Sequence, residues 1–504
     1  MTFTEDVFVE ILSVLLVTLL IVIYFFKQRY SYWKNLGVEY VEPSIPFGNL
    51  KASFNQKQSI GEWCVEYYDT MKSRKVKHAG CYFLHLPVYL PMDLDVIKRI
   101  MQTDFDHFFD HGGYYNEKDD PLSAHLFLLE GQKWRNLRIK LTPTFTSGKM
   151  KLMFPIIVKL SQQLVEVLEE ESANNPIDVK DISARFTTDV IGNCAFGIDC
   201  NSLKDPNTEF RVKGKRLFNL TVPEMLRNFF GCFFPDAMRY LGVRLLPKEA
   251  TDFFWNVIKE NAAYRRKTGT RRNDAFQLLL DMLKDDVKDD ENGLTFAEVA
   301  AQAFIFFVAG FETSSSLMSF ALLELAENQD VQDRLRVEIN NVMRQNNGEL
   351  TYENLSEMRY LDMVINETLR KYPPLPNLSR KCTKDYQIPD TNITIYKGQL
   401  VSILAKGIHY DPDYYPDPQK FDPTRFSEEN KAERHQFAFL PFGEGPRICI
   451  GVRFGLMQAK LGLSSLIRNF RFKRNPRTEY PVPLDPKNFL TSALGGLWID
   501  VEKI

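Results

Sequence analysis

No excess of either charge marks this chain: 63 basic residues stand against 65 acidic ones, a net of −2 over 504 residues. That balance argues against a generic nucleic-acid binder, although an average can hide local patches. Cysteine is scarce. There are seven, an odd number without a Cys-x-x-Cys pair, which excludes neither a reactive thiol nor a metal-ligating one but does argue against a disulfide scaffold and a structural zinc site. Twenty-six glycines and 26 prolines are too few for collagen-like or low-complexity architecture. No Gly-x-Gly-x-x-Gly fingerprint is present, so any electrons the protein uses come from elsewhere. Hydrophobic residues at 44% and charged residues at 25% fit a folded protein with a sizeable core. The length allows about three domains of ~150 residues, or one large fold.

Long apolar runs are equally scarce, and the first is diagnostic. Residues 11–26 (ILSVLLVTLLIVIYFF) carry no charge, and the segment extends back to Val7 with only Glu10 interrupting. Twenty residues at 1.5 Å rise span about 30 Å, a bilayer core. Glu5 and Asp6 precede it, while Lys27, Arg29 and Lys34 follow, an asymmetry that places the body on the cytosolic side. A cleaved signal peptide would need a basic start and a small-residue cleavage site, and both are missing. Residues 1–30 are therefore expected to be a signal-anchor helix, 31–50 a Pro-rich hinge around Pro43 and Pro46, and 51–504 a single domain.

Helical patterns dominate to about residue 380, with short strands and turns beyond. Thr295-Phe296-Ala297-Glu298 reads as a capping box opening a helix that runs to about Glu327, and residues 300–311 are apolar on all sides except for Gln302. Such a helix crosses a protein interior. As a second membrane span it would have to bury Glu312 and the hydroxyls of residues 313–316 in lipid, at high cost. Residues 330–345 and 353–371 read as amphipathic helices, 379–383 and 391–403 as short strands, and 285–292 (DDVKDDEN) as an acidic surface loop.

One cysteine stands apart. Cys64, Cys81, Cys194, Cys200, Cys232 and Cys382 sit in ordinary surroundings, as small apolar packing groups do. Cys449 lies in Phe442-Gly443-Glu444-Gly445-Pro446-Arg447-Ile448-Cys449-Ile450-Gly451, followed by an apolar-periodic helix from about Val452 to Arg468. Glycines and a proline make a constrained loop that a flat ligand can approach. The helix N-terminus and Arg447 are expected to draw the thiol toward thiolate. A catalytic nucleophile would need a histidine partner, and no Cys-His signature exists here. An axial iron ligand is the better chemical reading.

The pattern Phe442-x-x-Gly445-x-Arg447-x-Cys449-x-Gly451 resembles the haem-binding loop of the cytochrome P-450 monooxygenases. Other segments are similar in the family's order. Glu367-Thr368-Leu369-Arg370 matches Glu-x-x-Arg, and Phe421-Asp422-Pro423-Thr424-Arg425-Phe426 matches the downstream segment whose arginine completes a buried triad with it. Trp134-Arg135-Asn136-Leu137-Arg138 matches Trp-x-x-x-Arg, and Ala309-Gly310-Phe311-Glu312-Thr313 matches the oxygen-activation segment. The stretches Asn116-Glu117-Lys118-Asp119-Asp120-Pro121-Leu122-Ser123 and Glu130-Gly131-Gln132-Lys133-Trp134-Arg135 resemble the insect family-six branch.

The resemblance implies a mainly α fold with small β-sheets (α+β), built on a long central helix and carried by the N-terminal transmembrane helix. It implies haem b with Cys449 as axial thiolate ligand. Trp134, Arg138, Arg380 and Arg447 would bind its propionates, and Phe442 and Gly443 would shape its pocket. Gly310 would make room for O2 and loosen the helix, Thr313 would bond back to the Ala309 carbonyl or turn toward oxygen, and Glu312 would feed protons. Phenylalanines at 229–234 are placed at the pocket roof near the membrane, and Phe304, Phe306 and Phe307 beside the haem. The implied activity is insertion of one oxygen atom into lipophilic xenobiotics such as insecticides and plant toxins, or into insect hormones. Its electrons would come from NADPH–cytochrome reductase, with cytochrome b5 as a second candidate donor, at the endoplasmic reticulum membrane. Two acid-free stretches, 131–165 and 445–478, suggest a basic docking face for that partner. Two alternatives stand beside this reading: a haem-thiolate isomerase or dehydratase working without a reductase, and a non-catalytic haem sensor or lipid-binding membrane protein.

Overall fold

The computed structural model describes residues 3–173, 175–219, 221–284 and 293–504. The acidic loop 285–292 lies outside the described residues. The first helix, Phe3–Tyr30, is about 42 Å long, and most of its apolar side chains between Val7 and Phe25 are exposed. It is a candidate membrane span. The other helix of comparable length and apolarity, Phe296–Glu327, has 67% of its most apolar window buried, as an interior helix should.

The segment 31–50 differs from a hinge. Trp33 is buried, its indole N–H donating to the Cys81 carbonyl and its amide donating to the Tyr82 hydroxyl, both at 3.0 Å. Strand Glu39–Tyr40 pairs in parallel with His78–Phe83. Ser44 and Gly48 exchange both backbone hydrogen bonds (2.9 and 2.8 Å) around Pro46. These contacts make the segment the edge of the first sheet, because an indole and a strand edge are more stable buried against the body than left in water.

That sheet runs in the order Glu39–Tyr40, His78–Phe83, Leu86–Pro91, Leu400–Ile403, Leu378–Lys381. The hairpin His78–Phe83/Leu86–Pro91 falls where the sequence pattern predicts helix. Its tight turn contains Leu84 at φ +53° in place of glycine or asparagine, and its second strand holds Pro87 and Pro91. Both cues that announce a hairpin are thus absent or reversed. A second antiparallel sheet orders Ile177–Asp178, Trp498–Lys503 and Phe470–Arg474.

The remaining expected elements are present. The long helix starts with the capping box: Glu298 N–H donates to Thr295 Oγ1 (3.3 Å) and Thr295 N–H donates to Glu298 Oε2 (2.8 Å). Helices Gln329–Gln345 and Arg359–Lys371 and strands Leu378–Lys381, Thr394–Ile395 and Leu400–Ile403 follow. Gln302, the polar interruption, is fully buried; its Oε1 accepts the Leu126 N–H at 2.9 Å, so it pins the loop before helix Gly131–Leu141 to the long helix. The architecture is a mainly α fold with small sheets, in which helices Val179–Ile191 and Val452–Asn469 pack against the long helix.

Candidate active site

Cys449 sits just before helix Val452–Asn469 and lines an internal cavity with Phe442, Gly451, Ala309, Gly310 and Thr313. The loop is fixed by its own backbone: Cys449 N–H donates to the Phe442 carbonyl and Ile448 N–H to Gly445, both at 3.0 Å. Gly445 has φ +73°, and a Cβ there would lie 1.9 Å from the Met101 carbonyl oxygen, so no other residue fits. Gly443 is likewise at positive φ. Burial pushes the thiol up, while the Gly451 N–H and the Arg138 charge pull the other way. The positive charge that favours the thiolate is therefore that of Arg138. Arg447, expected in that role, turns away: its Nε donates to the Phe109 carbonyl (2.6 Å), its terminal nitrogens to Leu126 (3.2 Å) and Leu129 (2.8 Å).

Arg447 also stacks on Trp134, with the guanidinium carbon 3.9 Å from the ring, so the cation–π partner of Trp134 is Arg447 and not Arg138 four residues on. Arg380 is 2% exposed, has no carboxylate partner among the described residues, and leaves its Nε without a hydrogen bond. Burial pulls Arg380 down to about 10 and Arg447 to about 9. The nearest carboxylate, Asp110, is 3.6 Å from Arg447. Sequence reasoning missed Asp110 and its neighbour His111. The Asp110↔Lys381 bridge sets His111 opposite Arg380, and desolvation beside Arg380 and Arg447 pushes its imidazole well below the usual range. Three guanidiniums that repel one another and an uncharged imidazole, with Asp110 the only carboxylate within ion-pair distance of them among the described residues, constitute an anion site that the protein itself leaves unbalanced.

On the long helix, Thr313 Oγ1 donates back to the Ala309 carbonyl at 2.6 Å. Gly310 leaves room that a Cβ would close, 2.7 Å from Ile191 Cδ1. The expected loosening of the helix is not seen: the helix runs unbroken from Phe296 to Glu327, and Gln458 Nε2 from the cysteine helix donates to the Gly310 carbonyl (3.0 Å) and to Ser314 Oγ (2.5 Å). Gln458 was not singled out by any motif. Glu312 does not line the cavity; Lys180 Nζ holds its Oε1 at 2.7 Å.

Behind the loop, Glu367 and Arg370 are both fully buried and paired twice, at 2.7 and 2.8 Å. Arg425 Nε approaches Glu367 Oε1 at 3.4 Å, so the triad assembles. His409 links it to the cysteine loop. Its Nε2 accepts the Leu440 N–H (2.8 Å), which leaves Nδ1 as the donor to the Arg370 carbonyl (3.2 Å). Nothing in the sequence distinguishes His409 from the other histidines.

Of the phenylalanines, Phe306 lines the cavity, whereas Phe304 and Phe307 pack in the core against Phe254. Phe234 stacks on His85 (6.0 Å), and His85 meets Phe25 of the first helix (5.7 Å); the side chains of Phe229, Cys232 and Phe233 lie outside the described residues. The basic stretches look different in space than in sequence. Lys133 pairs with Glu117, Arg135 with Asp106, Lys151 with Glu353, Lys460 with Asp362, Arg471 with Asp333, Lys473 with Glu502 and Arg474 with Glu327. Lys159, Arg453 and Arg468 are exposed and have no ion pair among the described residues.

A buried guanidinium cluster beside a cavity-facing cysteine is the chemistry of the haem-thiolate proteins, in which the iron takes the thiolate and the cations take the propionates. The chain belongs to the cytochrome P450 family: the family model Cytochrome P450 matches residues 46–499. The chain is 46% identical to Probable cytochrome P450 6a23 of Drosophila melanogaster over 497 residues (98% of each chain). It is 44% identical to Cytochrome P450 6A1 of Musca domestica over 488 residues (96% of each), and 42% identical to Cytochrome P450 6a2 of Drosophila melanogaster over 491 residues (95% of this chain, 97% of that one). The family implies a haem iron with a cysteine ligand, and the site fits it. Arg380 supplies an orphaned buried donor, and Arg138 and Arg380 have no carboxylate partners among the described residues.

Proposed function

We propose that the protein is a membrane-anchored monooxygenase that inserts one atom of O2 into a lipophilic small molecule, a xenobiotic or an insect hormone. Electrons come from NADPH through a separate reductase, with cytochrome b5 as a second donor, and the body stands on the cytosolic side of the endoplasmic reticulum. The observation that carries this reading is that Cys449 and Thr313 line one and the same apolar cavity.

In this reading Cys449 would supply the thiolate ligand of haem b, Trp134, Arg138, Arg380 and Arg447 would hold its propionates, and Phe442 and Gly443 would shape the pocket. When bound, the haem supplies a redox-active iron whose thiolate ligand favours cleavage of the O–O bond. The chain's own residues then govern proton delivery and water. Thr313 Oγ1 gives up its bond to Ala309 and presents its hydroxyl proton to the cavity. Glu312, once its carboxylate leaves Lys180 and takes up a proton from water, passes that proton on to replace the one Thr313 gives. Apolar walls from Phe145, Phe306 and Leu317 keep bulk water away from the reacting atoms. The exposed, unpaired Arg453 in the first turn of the cysteine helix supports docking of an acidic redox partner on that side. The exposed apolar helix Phe3–Tyr30 supports the single anchor.

The test is reconstitution of the full chain with reductase in phospholipid vesicles, supplied with a panel of lipophilic compounds and NADPH. Oxygenated products carrying label from isotopic O2, together with the Soret shift of a thiolate-ligated CO complex, are expected. Absence of both would leave the sensor or lipid-binding alternative.

A further inference from the structure

Beside Gly310 and Thr313 the cavity at Cys449 is also walled by Ile191, Cys194, Ala195, Ala275 and Met153, and this apolar part is called its branch. Its residues come from helices Ser147–Ser172, Val179–Ile191 and Ala275–Leu280 and the turn Gly192–Phe196, which pack on one another and on the long helix. Its walls are aliphatic or thiol side chains, and two of them are alanines. Apolar space of this kind stays dry.

Met153 belongs to two cavities at once. It also walls a second, polar pocket whose rim holds Lys149, Arg271, Arg272, Asp274 and Asp281, with Arg271 paired to Asp281 and Arg272 to Asp274. Arg271 to Asn273 are exposed, so the polar pocket is open to solvent, and Met153, 2% exposed, is the partition between it and the branch. Methionine is unbranched and changes rotamer at little cost, which suits a partition that opens briefly. The ion-paired rim offers nothing to a lipophilic organic molecule, and the apolar walls beyond Met153 offer no polar group to hold water or ions. A small uncharged gas meets neither obstacle.

We propose that this branch is a conduit for dioxygen, separate from the route of the organic substrate, with Met153 as its gate and Thr313 at its inner end. This rests on the oxygen-consuming reading above. No bond is made or broken along the branch; it only sets the rate at which gas reaches the cavity.

Carbon monoxide serves as the probe, followed by flash photolysis of the reduced, full-length holoprotein. Ala195→Phe should slow CO association by about threefold or more by filling the bore, and Met153→Ala should speed it by a similar factor. The Soret position and the spectral affinity for an organic substrate should be unchanged in both. A xenon atom should bind between Ala195 and Ala275 under gas pressure. Unchanged CO rates in Met153→Ala with a normal thiolate-type band would overturn the conduit while sparing the monooxygenase reading, and so would an empty branch under xenon. Loss of that band in the parent protein would instead overturn the monooxygenase reading, and the conduit with it. Should Ala195→Phe fail to fold, Met153→Ala and the xenon site decide the matter.

Discussion

Lys180 holds Glu312 across two helices: Nζ lies 2.7 Å from Oε1, and the same ammonium donates to Ser315 Oγ (3.0 Å) and Ser316 Oγ (2.8 Å). Both side chains are mostly buried, 22% and 17% exposed, so the pair is shielded from screening by salt. Glu312 can serve proton delivery only by leaving this ammonium. Glu312→Gln should then lower product formation by ~10²-fold, the lower range for a positioned proton donor, and enlarge the solvent isotope effect. Lys180→Met should keep most activity. Equal product formation by Glu312→Gln and the parent would reduce the carboxylate to a structural partner of Lys180.

Thr313 faces the cavity with its hydroxyl parked on the Ala309 carbonyl. Thr313→Ala removes the hydroxyl and leaves the helix intact, so electron consumption should continue while product per NADPH falls several-fold. Thr313→Ser should restore most of the coupling. The readout is the ratio of product to NADPH consumed, with peroxide measured alongside, and an unchanged ratio in Thr313→Ala would remove the assigned role.

What was legible in the sequence was whatever depends on local spacing. The long helix follows from Thr295, Glu298 and an apolar run, and the triad follows from Glu367 and Arg370 at i, i+3. What stayed hidden depends on long-range partners. Leu84 adopts a positive φ only because the strands on either side pair, a tertiary override of local preference. Arg447 reaches carbonyls more than 300 positions away, and no spacing rule predicts that it leaves Cys449 for Trp134. The basic stretches were acid-free in sequence, but acids from elsewhere neutralise most of them in the fold.

The Glu367–Arg370–Arg425 cluster is a buried carboxylate between two guanidiniums, and its function is to fix the wall behind the cysteine loop. Removing one partner leaves the others uncompensated in low dielectric. Glu367→Gln should therefore cost ~3–5 kcal/mol, seen as a lower temperature for loss of the haem Soret band. A fall in turnover without a fall in that temperature would mean the cluster acts on chemistry instead.

Docking should depend on those cations of the two basic stretches that have no ion pair among the described residues. Arg453→Glu is expected to raise the reductase concentration needed for half-maximal turnover by roughly tenfold at low salt, with the difference shrinking as ionic strength rises. Lys473→Glu, at a site already paired with Glu502, should change it little. Equal effects of the two substitutions would point to a diffuse charge requirement.

His409 sets a pH dependence whose sign follows from its bonds. Accepting from Leu440 and donating to the Arg370 carbonyl requires the neutral ring, and burial, with Arg370 beside it, pushes the imidazole down to about 3. In the unfolded chain the ring takes up its proton near 6.5. Its stabilising contribution is thus complete above ~6.5 and is lost at about 1.4 kcal/mol per pH unit as pH falls toward 3. His125, also pushed down to about 3 by burial, adds an equal slope in the same window. His409→Gln keeps an acceptor for Leu440 and abolishes that ring's titration, leaving those of His125 and His111 in place. The variant should be somewhat less stable at pH 7.5, yet lose stability between pH 6.5 and 4.5 more gently than the parent by about one proton's worth. Denaturant midpoints across that range measure the slope directly, and parallel lines for the two proteins would mean that His409 does not titrate with unfolding.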